Sequence, residues 1–313
     1  MGRRDGDTWS LADMPDQSGR TAMVTGCTSG IGRHTALELA RHGARVLLAA
    51  RSEEKLADTA AALRDAVPDA KLEQVRVDLA DLASIRHAAA GATRLGPIHV
   101  LINNAGVMAT PERRTTDGLD LQMATNHFGP FLFTGLLLPQ LVAAGDARVV
   151  TVSSNGHKLA RSAPVRDPRR EHRAGYRRWD VYCQSKLANL LFTYELDRRC
   201  REAGLPVKGL AAHPGYAATH LLAYGQTLRA SGRATSILDA AMRATAQSAE
   251  MGALPTLMAA TADLPGSTYC GPSGPVELRG LPRVVRSTRR ARDPEAQRRL
   301  WEISEETVGL RWP

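Results

Sequence analysis

Residues 19–42 read GRTAMVTGCTSGIGRHTALELARH, and the apolar pattern changes its period within this stretch. The run at 22–24 predicts a short buried strand, and after the last glycine the apolar residues recur at helical spacing. Between the two, Gly26, Gly30 and Gly32 tolerate positive φ and let an anionic ligand reach the amides at the start of a helix. This strand, glycine turn and helix predict a site for the pyrophosphate of a dinucleotide.

The same alternation of strand and helix continues along the chain. Further strands are predicted at 45–50, 71–77, 98–102, 148–152, 207–212 and 267–270. Helices are predicted at 53–66, 81–94, 118–143 (bent near Pro130), 181–203 and 295–308. The alternation indicates an α/β fold: a single doubly wound Rossmann-type domain over 19–313, with a parallel sheet of about seven strands and helices on both faces. Residues 1–18 are interpreted as a mobile leader, and residues 216–262 as mostly helical walls of a substrate pocket.

Composition excludes several classes of protein. The net charge is +9, but only five of the 41 basic residues are lysine and 4% of residues are aromatic, so nucleic-acid binding is not expected. No apolar run approaches the roughly 18–20 residues of a membrane span. The four cysteines lack metal-ligand spacing, which indicates a cytoplasmic protein without a metal site.

The polar signatures of the chain follow its strands. In a doubly wound sheet, ligands bind beyond the carboxyl ends of the strands. The second strand ends in Arg51 and Ser52 without a carboxylate, which favours a 2′-phosphate and hence NADP over NAD. Asp78, after the third strand, either accepts from the adenine amino group or caps the next helix.

Tyr182 and Lys186 are the candidate catalytic pair. Residues at i and i+4 share a helix face, and a nearby ammonium favours the phenolate of a tyrosine. We therefore expect Lys186 to lower the pKa of Tyr182 toward a value useful for acid–base catalysis. Taken alone, this spacing also fits a solvated helix face.

The whole set of motifs resembles the short-chain dehydrogenase/reductase superfamily over about residues 19–275. The set comprises Thr25–Gly32, Asn103–Gly106, Asn126, Ser153–Ser154, Tyr182 with Lys186, and Pro214–Gly215. Residues 125–139, 182–196 and 289–310 are similar to the branch of retinol dehydrogenases and WW-domain oxidoreductases.

The resemblance implies a role for each matching residue. Tyr182 would be the general acid, Lys186 would lower its pKa and bind the nicotinamide ribose, Ser154 would polarise the substrate carbonyl, and Asn126 would hold a relay water. Strand alternation lets only one of Ser153 and Ser154 face the cofactor. The implied NADP(H)-binding residues are Gly26, Thr28, Ser29, Gly30, Ile31, Gly32, Arg51, Ser52, Asp78, Leu79, Asn104, Ala105, Gly106, Tyr182, Lys186, Pro214, Gly215 and Thr219.

These observations predict an NADP(H)-dependent reductase or dehydrogenase for a ketone or aldehyde on a bulky, largely apolar small molecule, as in a polyketide ketoreductase of secondary metabolism. The alternatives are epimerisation, dehydration or cyclisation on the same scaffold, and a non-catalytic NADP-binding protein. The arginine-rich loop at 161–178 is either solvated or a lid for an anionic substrate. Family members often form homodimers.

Overall fold

The apolar runs of the sequence become the strands of one sheet in a computed structural model, which describes residues 8–169, 175–216 and 247–313. The strands are β1 Thr21–Thr25, β2 Arg45–Ala50, β3 Leu72–Arg76, β4 Val100–Asn103, β5 Ala147–Val152, β6 Val207–Ala212, β7 Tyr269–Pro272 and β8 Pro282–Val284. Their order is 3-2-1-4-5-6-7-8, and the first seven pair in parallel. The predicted doubly wound parallel sheet is confirmed.

Strand β8 was not predicted. It is a three-residue edge strand that pairs antiparallel with β7. A strand this short carries no run of alternating or continuous apolar residues that could be recognised. It closes a hairpin whose loop, residues 273–281, lies at the carboxyl end of β7.

Helices cover both faces of the sheet. They are α1 Gly30–Arg41, α2 Glu53–Ala66, α3 Leu82–Ala92, α4 Leu121–Met123, α5 Gly129–Leu136, α6 Leu138–Ala143, α7 Arg178–Glu202, α8 Ala249–Thr261 and α9 Pro294–Val308. Helices α1, α2 and α8 share one apolar core with Ala22 and Val24 of β1, whereas α3, α5, α7 and α9 share the other core with Met23. Burial on both faces explains why the strands read as continuous apolar runs.

The predicted helix at 118–143 is interrupted. It begins at Leu121, because Asp120 accepts hydrogen bonds from the amides of Gln122 and Met123 as its N-cap. A π-helical turn over Ala124–Phe128 then precedes α5, so the predicted bend is present but begins before Pro130.

The prediction of a mobile leader is wrong for residues 8–18. Trp9 is fully buried in the core that α1, α2 and α8 share, and its amide donates to the carbonyl oxygen of Pro282 at 2.9 Å. The indole buries enough apolar surface to fix this segment against the sheet. The segment therefore joins the start of the chain to edge strand β8.

The predicted pocket walls at 216–262 divide into two parts. Residues 217–246 lie outside the described residues. Helix α8 is buried over most of its length and contributes to the core shared with α1, and its role as a pocket wall stays a prediction. In the described part of the chain, no helix is both long and apolar enough to cross a bilayer.

The C-terminal helix has the predicted amphipathic face. Leu300, Ile303 and Val308 are buried, and Asp293 caps the helix by accepting from the amides of Glu295 and Ala296.

Candidate active site

The glycine turn between β1 and α1 has the backbone geometry that an anion site needs. Gly26 (φ +66°) and Gly30 (φ +52°) lie in the left-handed region, which residues with a Cβ seldom adopt. A Cβ on Gly26 would lie 2.8 Å from the Cα of Ala105, so the turn packs directly on the end of β4. The N-cap residue Ser29 makes no side-chain capping hydrogen bond, which leaves the first amides of α1 open to an anionic acceptor.

Two side chains lock this turn to the segment after β4. Thr25 Oγ1 accepts from the amides of Asn104 and Ala105, both at 3.0 Å. Asn104 Nδ2 donates to the carbonyl oxygen of Thr25 at 2.8 Å, and a Cβ on Gly32 would collide with this amide. Thr28 and Ile31 belong to the same turn. The predicted residues 26–32 and 104–106 are thus brought together as one rigid unit.

The carboxyl end of β2 presents the residues predicted to select the dinucleotide. Arg51 is exposed there, and Ser52 Oγ accepts from the amide of Lys55 at 3.3 Å as the N-cap of α2. A hydroxyl that accepts this bond keeps its own proton for a further acceptor. Arg51 and Ser52 therefore place a guanidinium and a hydroxyl donor side by side at the carboxyl end of β2.

Asp78 does not cap α3. Its Oδ1 accepts from the amide of Ala80 at 2.9 Å, whereas Asp81 Oδ1 accepts from the amides of Ala83 and Ser84 at 2.9 and 3.0 Å and is the cap. The capping alternative is therefore wrong, and the adenine contact stays a prediction. The neighbouring Leu79 side chain is buried in the core, so only its main chain could meet a cofactor.

Tyr182 and Ser154 form the centre of the candidate site. Tyr182 is buried on α7, and burial raises the pKa of its phenol to about 12 although a hydrogen bond with Ser154 acts in the opposite direction. Ser154 Oγ also accepts from the amide of Gly156 at 3.1 Å. Ser153 turns the other way and donates to the carbonyl oxygen of Lys186 at 2.7 Å. Of the two serines, Ser154 is the one beside Tyr182.

Lys186 lies one helical turn after Tyr182, and its ammonium is bonded to the main chain in this structure. Its Nζ is 5.9 Å from the centroid of the Tyr182 ring and donates to the carbonyl oxygen of Val152 at 3.0 Å. Burial lowers the pKa of Lys186 to about 8. Burial of the phenol is the largest cause of the raised pKa of Tyr182, so the predicted lowering by Lys186 is not seen in this structure.

Asn126 sits in the π-helical turn and connects two segments of the site. Its Oδ1 accepts from the amide of Val107 at 2.8 Å, and its Nδ2 donates to the carbonyl oxygen of Val107 and to Ser185 Oγ, both at 2.9 Å. Both side-chain donors are therefore engaged. A relay water could therefore meet this side chain only as a donor to Oδ1, and the relay stays a prediction.

The segment after β6 approaches the site from the other side. Gly215 has φ +65°, and a Cβ there would collide with the carbonyl oxygen of Leu278 in the hairpin loop. The amide of Gly215 donates to His213 Nδ1 at 3.2 Å, and the carbonyl oxygen of Pro214 accepts from Gln247 Nε2. Thr219 lies outside the described residues.

Several residues of the site carried no recognisable signal in the sequence. Trp179 is 52% exposed, and its ring meets that of Tyr182 edge to face with centroids 6.2 Å apart. It is one of five large apolar side chains that are exposed among the described residues. These five lie on three segments near Ser154 and Tyr182: the turn after Ser154, the start of α7 and the hairpin loop. We call them the apolar rim: Leu159, Trp179, Val276, Leu278 and Leu281.

Part of the arginine-rich loop is docked on the protein. Arg169 donates to Thr307 Oγ1 at 2.7 Å and forms an ion pair with Glu306 at 3.1 Å, both on α9. Arg170 and Arg173 lie outside the described residues. The role of this loop as a lid stays a prediction.

The four cysteines are free and buried. Burial raises the pKa of Cys27, in the glycine turn, to about 12, as expected of a packed thiol. No cluster of three or more His, Cys, Asp or Glu side chains suited to a metal ion occurs in the described ranges.

Comparison with known proteins gives consistent matches. A short chain dehydrogenase family profile matches residues 20–163. Human Retinol dehydrogenase 12 is 37% identical over 295 residues, which cover 94% of this chain and 88% of that protein. An uncharacterized protein from Mycobacterium Paratuberculosis has a similar crystal structure, with a TM-score of 0.80, 40% identity and coverage of 98% of this chain and 100% of that one. Actinorhodin polyketide ketoreductase with NADPH is similar with a TM-score of 0.60, 26% identity and coverage of 80% and 93%.

Proposed function

We propose that this chain, which belongs to the short-chain dehydrogenase family, uses NADP(H) to interconvert a carbonyl and an alcohol on a bulky, largely apolar small molecule. The observation that carries the proposal is the buried Tyr182–Ser154 pair, with Lys186 one turn along the same helix and the glycine turn on the same edge of the sheet. The similarity to a polyketide ketoreductase supports a role in secondary metabolism.

The residues at the carboxyl ends of the strands fit a phosphorylated dinucleotide. The open amides of α1 suit a pyrophosphate, and the glycines keep that approach free of side chains. Arg51 and Ser52 would hold a 2′-phosphate, and Asn104–Gly106 with Pro214–Gly215 would line the remainder of the site. When bound, NADPH supplies the hydride for reduction.

Tyr182 would donate the proton to the substrate oxygen, and Ser154 would stabilise the negative charge that develops there. The neutral phenol of Tyr182 is the form that donates a proton to the substrate oxygen, and its raised pKa keeps it neutral at physiological pH. Because Ser154 Oγ already accepts from Gly156, its proton can point at the same substrate oxygen and stabilise negative charge there. Lys186 Nζ lies 5.9 Å from the centroid of the Tyr182 ring, and Asn126 contacts Ser185 on the same helix, so these two residues would resupply the proton.

A screen of carbonyl compounds tests the proposal. Purified protein is mixed with NADPH and with aldehydes and ketones of increasing apolar bulk, and the loss of NADPH absorbance is followed. We expect turnover to favour the bulky compounds. Absence of any turnover across the panel, with NADPH binding intact, would contradict the assignment as a reductase.

Arg51→Asp tests the choice of dinucleotide. Removing the guanidinium and adding a carboxylate should weaken NADPH binding by about 10- to 100-fold, because a charge-assisted bond to the 2′-phosphate is lost. Binding of NADH should strengthen, since a carboxylate can accept from the ribose 2′-hydroxyl. Titration calorimetry measures both. Arg299→Asp, at an exposed arginine of α9, is the control, and equal losses for the two dinucleotides at Arg51 would contradict the assignment of NADP.

Trp179→Ala tests the apolar character of the substrate. Since the exposed indole borders Tyr182, its loss should raise KM for a bulky carbonyl compound by about tenfold, with little change for a small one. Trp179→Phe keeps an aromatic face toward Tyr182 and should recover most of the loss. An equal effect on both substrates would show that Trp179 only supports Tyr182.

A further inference from the structure

The hairpin loop 273–281 contacts two segments that border the candidate site. Asn155, directly after Ser154, donates through Nδ2 to the carbonyl oxygens of Val276 and Glu277 at 3.2 and 3.1 Å. On the other side, the amide of Tyr216 donates to the carbonyl oxygen of Leu278 at 2.9 Å. The loop therefore bridges the Ser154 turn and the segment after β6.

Glu277 is the side chain that ties these segments together. Its Oε2 accepts from Lys158 Nζ at 2.8 Å and lies 3.1 Å from His213 Nε2. Because His213 Nδ1 accepts from the amide of Gly215, Nε2 carries the proton and donates to Glu277. The carboxylate is 19% exposed and His213 is fully buried, so these bonds are poorly screened.

The charge of Glu277 is fixed by its partners. Burial opposes ionisation, but hydrogen bonds from His213 and Lys158 lower the pKa of Glu277 to about 2. Burial also lowers the pKa of His213. At neutral pH an ionised carboxylate thus faces one lysine and one neutral imidazole.

The backbone at this point is held in an unfavourable conformation. Val276 (φ +52°) and Glu277 (φ +56°) both have positive φ, which is costly for residues with a Cβ and especially for a β-branched one. Such a conformation persists only where surrounding bonds hold it. Here it turns the side chain of Val276 outward, and that side chain is 76% exposed.

We propose that Glu277 is a positioning residue that holds the hairpin loop 273–281 against the Ser154 turn as the substrate-side wall of the cleft, with Val276 as the side chain that meets the apolar part of the substrate. This proposal rests on the proposed function. It assigns a task to the part of the apolar rim carried by the hairpin.

Glu277→Ala and Glu277→Gln test the anchor in the full chain. Losing the carboxylate should raise KM for a bulky carbonyl compound by about tenfold and lower kcat, because the Ser154 turn is no longer held in place. The Kd for NADPH should change less than KM, since the α1 site is untouched and only Gly215, which donates to His213, borders the loosened loop. Glu277→Gln keeps an acceptor for His213 and should recover part of the loss. Glu73→Ala breaks an ion pair with Arg45 on β2 and should change none of these constants.

A second measurement does not depend on turnover. Amide hydrogen exchange of the Asn155–Leu159 turn should be about tenfold faster in Glu277→Ala than in the wild type, because this turn loses its anchor. Should Glu277→Ala fail to fold, Lys158→Met removes the same ion pair from the more exposed partner and is assessed in the same way.

Val276→Gly distinguishes a contact between Val276 and the substrate from an effect on the stability of the fold. Glycine relieves the positive φ and should raise Tm, whereas loss of the apolar side chain should raise KM for the bulky compound alone. Unchanged KM in Glu277→Ala or in Val276→Gly, with an active wild type, overturns the inference. A wild type without turnover on any carbonyl compound counts against the proposed function, and the exchange rates then still decide whether Glu277 is the anchor.

Discussion

Tyr182→Phe should lower kcat by about 10²- to 10⁴-fold, because the phenol is the proton donor to the substrate oxygen. The change removes one hydroxyl from a buried ring, so the packing of α7 and the Kd for NADPH should be preserved. Single-turnover reduction followed at the NADPH absorbance separates the chemical step from binding. The decrease should be seen in kcat and kcat/KM alike.

Tyr194→Phe provides the matched control. Tyr194 lies on the same helix, twelve residues beyond Tyr182, or about 18 Å along the helix axis. Its variant should turn over at the wild-type rate. Retained turnover in Tyr182→Phe would show that Tyr182 is not the proton donor to the substrate oxygen.

Lys186→Met should have opposite effects on activity and stability. Turnover should fall by at least about 10²-fold, because the lysine stands behind Tyr182 where the proton is resupplied. The folded state should become more stable by on the order of 2–3 kcal/mol at pH 7, because a buried ammonium is replaced by an apolar chain of similar length. Asn189 still donates to the carbonyl oxygen of Val152 in the variant.

The pH dependence gives the sign of this stability effect. Burial lowers the pKa of Lys186 from 10.5 to about 8, so the unfolded chain binds more protons between these values and wild-type stability rises with pH across that window. The penalty is complete below the folded pKa. The stability gain of Lys186→Met should therefore shrink as pH rises from about 8 to 10.5, as measured by urea unfolding. A gain that does not change with pH would show that Lys186 has the same pKa in the folded and the unfolded protein.

The fold could be predicted because the strands of a doubly wound sheet are buried on both faces. Continuous apolar runs such as 45–50 and 148–152 then mark each strand, and the polar residues that follow mark one edge. The glycine turn and the Tyr182–Lys186 spacing could also be recognised. Their signals are local in sequence.

The remaining features depend on contacts between distant residues. Glu277 meets Lys158 and His213 across 119 and 64 positions, and neither spacing follows a helix or strand period. Trp9 is buried because it packs in the core shared by α1, α2 and α8 and bonds to β8. Strand β8 itself is too short to be recognised in the sequence. The pKa of Tyr182 depends on how deeply α7 is buried, which no i, i+4 spacing reveals.

The ionic anchor of the hairpin has a consequence for grafting substrate preference between relatives. The side chains that hold the loop come from three separate parts of the chain, at Lys158, His213 and Glu277. A chimera whose exchanged loop 273–281 lacks a carboxylate at position 277 would leave Lys158 and the buried His213 without their partner. Chimeras of this protein should therefore exchange Lys158, His213 and Glu277 together.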